Sequence, residues 1–371
     1  MRLLYLTDRL SDRGGADHHL SQVIASSVDD GCEVSVAYGR DDGGGVRRME
    51  VEYHRIRGLS GMVDSGSRLG DLPGMLEAAD VVHVQNIMNP TALAMAVKRC
   101  CSVVTVQDHR VFCPGQGKTL SDGKACTIEM TDTACRECVP DDAYRRSTLA
   151  LTRRRLDALR GAEIVVLSQY MAEQLAVVGV TPSRVIPPWV EVGPDRTDPG
   201  STFMLGGRLV PHKGIVDGWK SWTRAGRPLR LVVAGAGPLE SELSGADLVG
   251  WLGPKNLRAA LRRARALIFP ARWQEPFGIL GLEALAQGTP VVVAASGGTD
   301  DWSGSGCVRV PAGDIGAMAA AVQRLAAEPE WALELGREGR AAVSRLFSRD
   351  RIAPELAELY CSVRSPRAKS S

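Results

Sequence analysis

The chain reads as an α/β protein with two parallel-sheet domains in series, and three observations predict this. Short β-branched runs alternate with helical stretches along most of the 371 residues. The runs are continuously apolar rather than alternating, as befits strands covered by helices on both faces. The pattern halts once, at VIPPWVEVGPDRTDPGS (185–201), a stretch dense in Pro, Gly and Asp, and then restarts. A chain of this length also exceeds what one core ordinarily serves.

In the first half the strands are LLYLT, CEVSVAY, VEYHRI, VVHVQ, SVVTVQ and EIVVLS, with helical patterns such as HHLSQVIASSV and NPTALAMAVKRC between them. In the second half they are TFMLGGRL, LRLVVAG, DLVGWLG, ALIFPA, PVVVAA and CVRV. The resulting division is 1–190, with a cysteine-rich insert at 113–140, then 200–346, then a tail at 347–371. The stretch from Trp331 to Tyr360 has helical spacing with interleaved charges, and the tail is expected to pack back onto the first domain. Met1–Asp17 and Thr202–Lys213 share a form: strand, Gly-Gly, polar residues, helix.

Composition narrows the function. A net charge of +2 gives no electrostatic footprint for nucleic acid. No apolar run approaches the roughly 18 residues of a membrane span, and MRLLYLTDRL lacks the features of a signal peptide, so a cytoplasmic protein with reduced thiols is expected. The basic segment YRRSTLALTRRRLDALRG (144–161) could touch an anionic membrane, but a solvated basic face is the favoured reading.

Parallel α/β domains bind ligands at the carboxyl ends of their strands, and two facing domains would place the ligand in the cleft between them. Gly14-Gly15 follows the first strand and opens a helix, where backbone amides can approach an anion. GGRLVPHKG (206–214) repeats this with Arg208 and Lys213 added, a pair suited to a diphosphate. In RWQEPFGILGLEAL (272–285), Phe277-Gly278-Ile279-Leu280 starts a second helix with free N–H groups. Glu283 lies in its first turns, where a carboxylate can accept from the two hydroxyls of a ribose. Glu275 stands on the preceding turn.

EPFGILGLE resembles the E-x7-E signature of the retaining glycosyltransferases of family 4, which share the GT-B fold. GG near the N-terminus, GRLVPHKG, VVAGAGPLE, GTPVVVAASGG and VRVPAGD fall in that family's order, so the resemblance covers nearly the whole chain. It implies two Rossmann-like domains facing a central cleft. It implies transfer from a UDP- or GDP-sugar to a hydroxyl of a small polar or glycan acceptor, by a hexosyl- or N-acetylhexosaminyltransferase. By that resemblance Arg208 and Lys213 hold the diphosphate, Glu283 the ribose and Glu275 the sugar hydroxyls. Gly278, Ile279 and Leu280 offer amides, and the base lies near Trp251 and Leu252. The family route is same-face attack with the leaving phosphate as base, so Glu275 binds sugar rather than acting as nucleophile. The sequence contains no Asp-x-Asp pair, and two cations with a helix start can neutralise a leaving diphosphate, so transfer needs no metal cofactor. A non-catalytic nucleotide-sugar-binding module and a GT-B epimerase are the alternatives.

On the acceptor side, TVQDHRVFCPG (105–115) follows a strand end. Relatives carry His where this chain has Gln107. Here His109 follows two places later, and its reading is open between a site residue and a satisfied structural histidine. Asp108 would orient the acceptor or His109. His83 and Asn86 are placed at the same edge, and His18 and His19 are read as helix-surface residues. Four of the nine cysteines cluster: Cys113, Cys126, Cys135 and Cys138. The CREC pair has metal-knuckle spacing, and four thiolates would close a tetrahedral structural zinc site. The alternative is unpaired thiols in an acceptor loop. Cys100 and Cys101 are read as packing residues at a helix end.

Overall fold

A computed structural model describes residues 1–44, 47–61, 69–99, 101–115, 117–120 and 124–364. Cys100, residues 116 and 121–123 of the cysteine-rich insert, and the last seven residues of the tail lie outside the described residues. The chain forms two compact units. One holds the described residues of Met1–Ser121, Cys126–Pro187 and Ile352–Ser371; the other holds those of Asp122–Ala125 and Pro188–Arg351.

The first unit contains β1 (Arg2–Leu10), α1 (Gly15–Asp29), β2 (Glu33–Asp41), β3 (Val51–Arg55), α2 (Leu72–Ala78), β4 (Val81–Gln85), α3 (Pro90–Arg99), β5 (Ser102–Val106), α4 (Asp142–Leu159), β6 (Glu163–Val166), α5 (Gln169–Val177) and β7 (Arg184–Val185). Its seven strands run in the order β3-β2-β1-β4-β5-β6-β7, and every pairing is parallel. The second unit contains β8 (Thr202–Gly206), α6 (Ile215–Arg224), β9 (Arg230–Ala234), β10 (Asp247–Gly250), α7 (Pro254–Arg263), β11 (Ala264–Phe269), α8 (Ile279–Ala286), β12 (Val291–Ala295), β13 (Cys307–Pro311), α9 (Ile315–Ala327) and α10 (Pro329–Leu346). Its sheet runs β10-β9-β8-β11-β12-β13, again all parallel. Counted from each unit's own first strand, both orders begin 3-2-1-4-5-6, the Rossmann doubly-wound order.

The apolar runs account for this. Leu4, Leu6, Val82, Val84, Val104, Val106, Ile164 and Val166 share one buried cluster with Leu72, Leu76, Leu93 and Leu159 from the helices. Phe203, Leu205, Leu231, Val233, Ala266, Ile268, Val292 and Ala294 do the same with Ile215, Trp222, Val322 and Leu325. Each fully buried Leu or Val contributes about 1.5–3 kcal/mol, so the central strands are the rigid frame from which the loops project.

Two expectations are corrected here. The helical stretch 331–360 is two helices: α10 ends at Leu346 and α11 (Arg349–Val363) begins three residues later. Phe347 breaks them, because its ring packs 6.1 Å from that of Phe277 and its carbonyl accepts the Val190 N–H. The basic face of α4 is not wholly solvated either. Arg145 is buried, donating to Asp132, Asp142 and the carbonyls of Val139 and Pro140. Arg155 is buried as well, donating to the carbonyls of Met88 and Arg110. A guanidinium with five fixed donors satisfies several buried carbonyls at once, so these two arginines clamp loops rather than face solvent. Among the described residues no helix is long and apolar enough to cross a membrane.

Candidate functional site

The strand order of the second unit reverses between β8 and β11, the position where doubly-wound sheets hold ligands. Both segments leaving these strands carry the residues singled out in the sequence. After β8 the chain passes Gly206-Gly207 to Arg208, then makes a 3₁₀ turn, Pro211–Lys213, before α6. Gly214 closes that turn at φ 67°, and a Cβ there would lie 1.8 Å from the Pro270 carbonyl oxygen. Only glycine lets the turn press against the segment leaving β11. Arg272 and Trp273 complete the junction, each donating its N–H to the His212 carbonyl at 3.1 Å.

This junction brings Lys213 and Glu275 together. The Lys213 Nζ donates to Glu275 Oε1 at 2.5 Å, with side chains 22% and 4% exposed. The same ammonium lies 4.6 Å from the centre of the Trp273 ring, a cation–π contact. Glu275 is held from behind, its carbonyl accepting the Gly298 N–H. Arg208 is exposed at the rim and donates to no described residue. Arg272, the next cation along, is committed to a bidentate pair with Asp217 on α6.

Beyond Glu275, Gly278 caps α8 at φ 90° with no side-chain cap. The N-terminal amides of Gly278, Ile279 and Leu280 are half-buried at the positive end of the helix dipole. Glu283 sits half-buried on the second turn. Trp251 and Leu252 are half-buried just past β10. Phe277 is corrected: its ring is core, packed on Phe347, and its carbonyl accepts the Trp302 indole N–H at 2.6 Å. It supports the turn rather than lining a site. Two carboxylates, two cations and an uncapped helix start around one strand-order reversal form a set able to hold a polyanion and sugar hydroxyls.

The first unit has the equivalent reversal between β1 and β4. Gly14 and Gly15 open α1, but Asp17 in its first turn already occupies the positive end, paired with Arg9 at 3.1 Å. Burial lifts the Asp17 carboxyl despite that pair. Asp8, at the carboxyl end of β1, is raised by burial to about 6 against the pull of Arg110 and Arg9. Nothing in the sequence pattern marked Asp8, since its shift comes from the surroundings alone.

Several acceptor-side expectations are revised. His83 lies in the middle of β4 and is buried, with Nδ1 2.6 Å from the Tyr360 hydroxyl and Nε2 2.7 Å from the Thr105 hydroxyl. It lies inside the sheet rather than at its edge. His109 is 1% exposed, its Nε2 3.0 Å from the Tyr170 hydroxyl and its ring edge-on to Phe112 and Tyr170. Through that contact it ties the loop to α5. Asp108 caps the 109–111 turn, accepting from Arg110 N and Nε at 2.8 Å each. Burial raises its carboxyl, but the Arg110 charge and these hydrogen bonds outweigh that and hold it low. Asn86 follows β4 at φ 58°, half-buried.

Gln107 is the exception, because it joins a network that the sequence did not reveal. Its Nε2 donates to His19 Nδ1 at 2.7 Å and to Gln85 Oε1 at 3.1 Å. Gln85 reaches His83, and the chain continues through Tyr360 and Tyr5 to Ser27. His19 is thus buried in the network, not on a helix surface. Burial pushes its imidazole down to about 4 and that of His83 to about 3, so both are neutral at pH 7.

The thiols of Cys113, Cys126, Cys135 and Cys138 are free and half-buried. They share one neighbourhood. Burial raises the Cys135 and Cys138 thiols, and the neighbouring thiols add to the rise. The Lys118 N–H points at Cys113 Sγ at 3.4 Å. Among the described residues, however, no group of three or more His, Cys, Asp or Glu is arranged to hold a metal ion. The thiol chemistry fits zinc, and the described arrangement does not assemble its ligands.

Against this geometry, two family models match in succession. The glycosyl transferase 4-like domain matches residues 14–189, and the glycosyl transferases group 1 model matches residues 200–328. The chain belongs to the family 4 type of glycosyltransferases. Glycogen synthase of Mycobacterium tuberculosis strain H37Rv is 30% identical to this chain over 184 residues, 46% of this chain and 44% of that one. D-inositol 3-phosphate glycosyltransferase of Salinispora tropica is 35% identical over 153 residues, 39% of this chain and 30% of that one. The chain thus spans half or less of the length of these curated relatives. Sucrose-phosphate synthase of Thermosynechococcus elongatus matches in structure with a TM-score of 0.73 at 20% identity, covering 98% of this chain and 99% of that one. Anabaena HepE, solved in complex with UDP, matches with a TM-score of 0.70 at 16% identity, covering 98% and 100%. These likenesses show the fold, two Rossmann-like domains of the GT-B kind.

Proposed function

We propose that the chain transfers a sugar, with retention and without a metal, from a nucleotide-activated donor to a hydroxyl of a small polar or glycan acceptor. The observation that carries this reading is the Lys213–Glu275 pair, set at the strand-order reversal of the second sheet beside the uncapped start of α8. Arg208 and Lys213 neutralise the diphosphate as it leaves, with the amides of Gly278, Ile279 and Leu280 adding fixed dipoles. Glu275, released from Lys213 when the diphosphate arrives, accepts from sugar hydroxyls. Glu283 accepts from the ribose. Because charge develops on the leaving phosphate, cations held in place act more strongly in the transition state than in the ground state. UDP-sugars are the first donors to try, since HepE was solved with UDP. A structural zinc away from this chemistry would draw the four thiols together into a tetrahedral set that the described residues do not hold without the ion.

The test is release of nucleoside diphosphate from a panel of UDP-, GDP- and ADP-sugars with polyol and glycan acceptors, with and without EDTA, and the anomeric configuration of the product by NMR. Retained configuration and EDTA-insensitive turnover support the proposal. Inverted product, or turnover lost to EDTA with the fold intact, contradicts it. Donor binding without turnover with any acceptor would favour the non-catalytic binding module.

A further inference from the structure

His212 stands beside Lys213 on the 3₁₀ turn after β8. Its backbone carbonyl anchors the Arg272–Trp273 segment, and its ring packs on the Trp273 indole with centroids 4.9 Å apart. The ring is therefore fixed in place. Its Nε2 is buried and has no hydrogen-bond partner among the described residues. A buried imidazole nitrogen left unpaired carries a desolvation cost that is recovered only if something fills the position. Three charges act on this ring: Lys213 and Arg208 from its own segment and Glu275 from the segment after β11. The nearby Arg272 and Asp217 are spent on each other. Burial foremost, then the two cations, keep the imidazole neutral near pH 7, lowering it to about 4, while Glu275 opposes them weakly.

We propose that His212 is a third anion-binding group of the donor site and takes up a proton when a nucleoside diphosphate binds. This rests on the donor-site reading above. A diphosphate brings at least two negative charges to the cations that now repel a proton from His212. It reverses the local field, and it supplies the missing acceptor for Nε2–H. Binding is then protein plus nucleotide plus up to one proton from solvent, with no bond broken. Affinity should rise as pH falls, until the imidazole is protonated in the free protein too.

The probe is UDP, titrated calorimetrically into the full chain at pH 7.5 in PIPES and in Tris, whose ionisation enthalpies differ. Wild type, His212→Gln and His212→Phe are compared. The phenylalanine variant keeps a ring on Trp273, and thermal melts confirm that both variants fold. Wild type is expected to take up a substantial fraction of a proton and to bind several-fold more tightly at pH 6.5 than at pH 8. Both variants should lose most of the proton uptake and bind about tenfold more weakly, since UDP's own titration is common to all three proteins. Equal proton uptake in wild type and variants overturns the proposal for His212 while leaving the donor site standing. Absence of heat with UDP, GDP and ADP in the wild type overturns the donor-site reading itself, and this inference with it.

Discussion

Replacing Lys213 with methionine tests the donor site from two sides. The substitution keeps the apolar stem on Trp273 but leaves Glu275, 4% exposed, without its counter-charge. Removing one partner of a fully buried ion pair costs about 3–5 kcal/mol. Lys213 is 22% open to water, so a discounted figure of about 2–3 kcal/mol suits this pair. In a unit of this size each kcal/mol moves the melting temperature by roughly 2–4 °C, which gives a drop of about 4–12 °C. Glu275→Gln should cost less, because the stranded ammonium keeps the indole face and some water. The double variant should melt above Lys213→Met alone, since no charge is then left uncompensated. Turnover behaves differently. Each variant that lacks Lys213 loses a fixed positive charge at the leaving group, worth about 10²–10³ in kcat, and Glu275→Gln does not restore it. The assay is a four-protein cycle read by differential scanning calorimetry and by diphosphate release. If Lys213→Met melts within the error of wild type, or the double variant is no more stable than Lys213→Met, the reading of a buried, mutually dependent pair is refuted.

Three further outcomes follow from the same geometry. His19 and His83 protonate near 6.5 in the unfolded chain but only near 4 and 3 when folded, so the unfolded chain binds more protons between these values. Stability should therefore fall as pH drops from about 6.5 toward 4, and His19→Gln should flatten that slope; a wild-type melting temperature constant across this range argues against the buried neutral network. Gly278→Ala forces a Cβ to φ 90° and to 3.1 Å from the Phe269 ring, so it should destabilise the α8 start by about 1–3 kcal/mol and weaken UDP binding, whereas unchanged affinity and melting would exclude this turn as a donor element. Metal analysis of the purified chain should find close to one zinc, lost when Cys135 and Cys138 are both changed to serine; well under one zinc per folded chain removes the zinc reading.

Much of the fold was legible because it is written in short-range signals. Runs such as ALIFPA and PVVVAA are apolar on both faces, and that places them inside parallel sheets. The donor-side candidates could be named for a related reason: glycines and charges at strand ends stand where backbone can approach a ligand. The acceptor side was less so. Sequence alone puts His83 at the strand edge and leaves His109 open between two readings because both flank strand ends, whereas Tyr360 and Tyr170, far along the chain, hydrogen-bond to them. The same blindness to distant partners hid His19, which needs Gln107 to explain it, and Asp8, whose carboxyl is lifted by burial. His212 carried a local signal, adjacency to Lys213 in GRLVPHKG, but its role depends on Trp273, sixty-one positions away. Arg145 and Arg155 show the converse error, since a basic helix pattern says nothing about which arginines turn inward to reach carbonyls.

The central claim is that Lys213, Glu275, Arg208 and the start of α8 bind an activated sugar and transfer it. The most direct measurement is single-turnover transfer from the donor that the panel selects, with the stereochemistry of the product read by NMR, in wild type and in the folded Lys213→Met/Glu275→Gln variant. Wild type should retain configuration, and the variant should transfer at least about 10²-fold more slowly. Transfer at a similar rate by both proteins would contradict that claim.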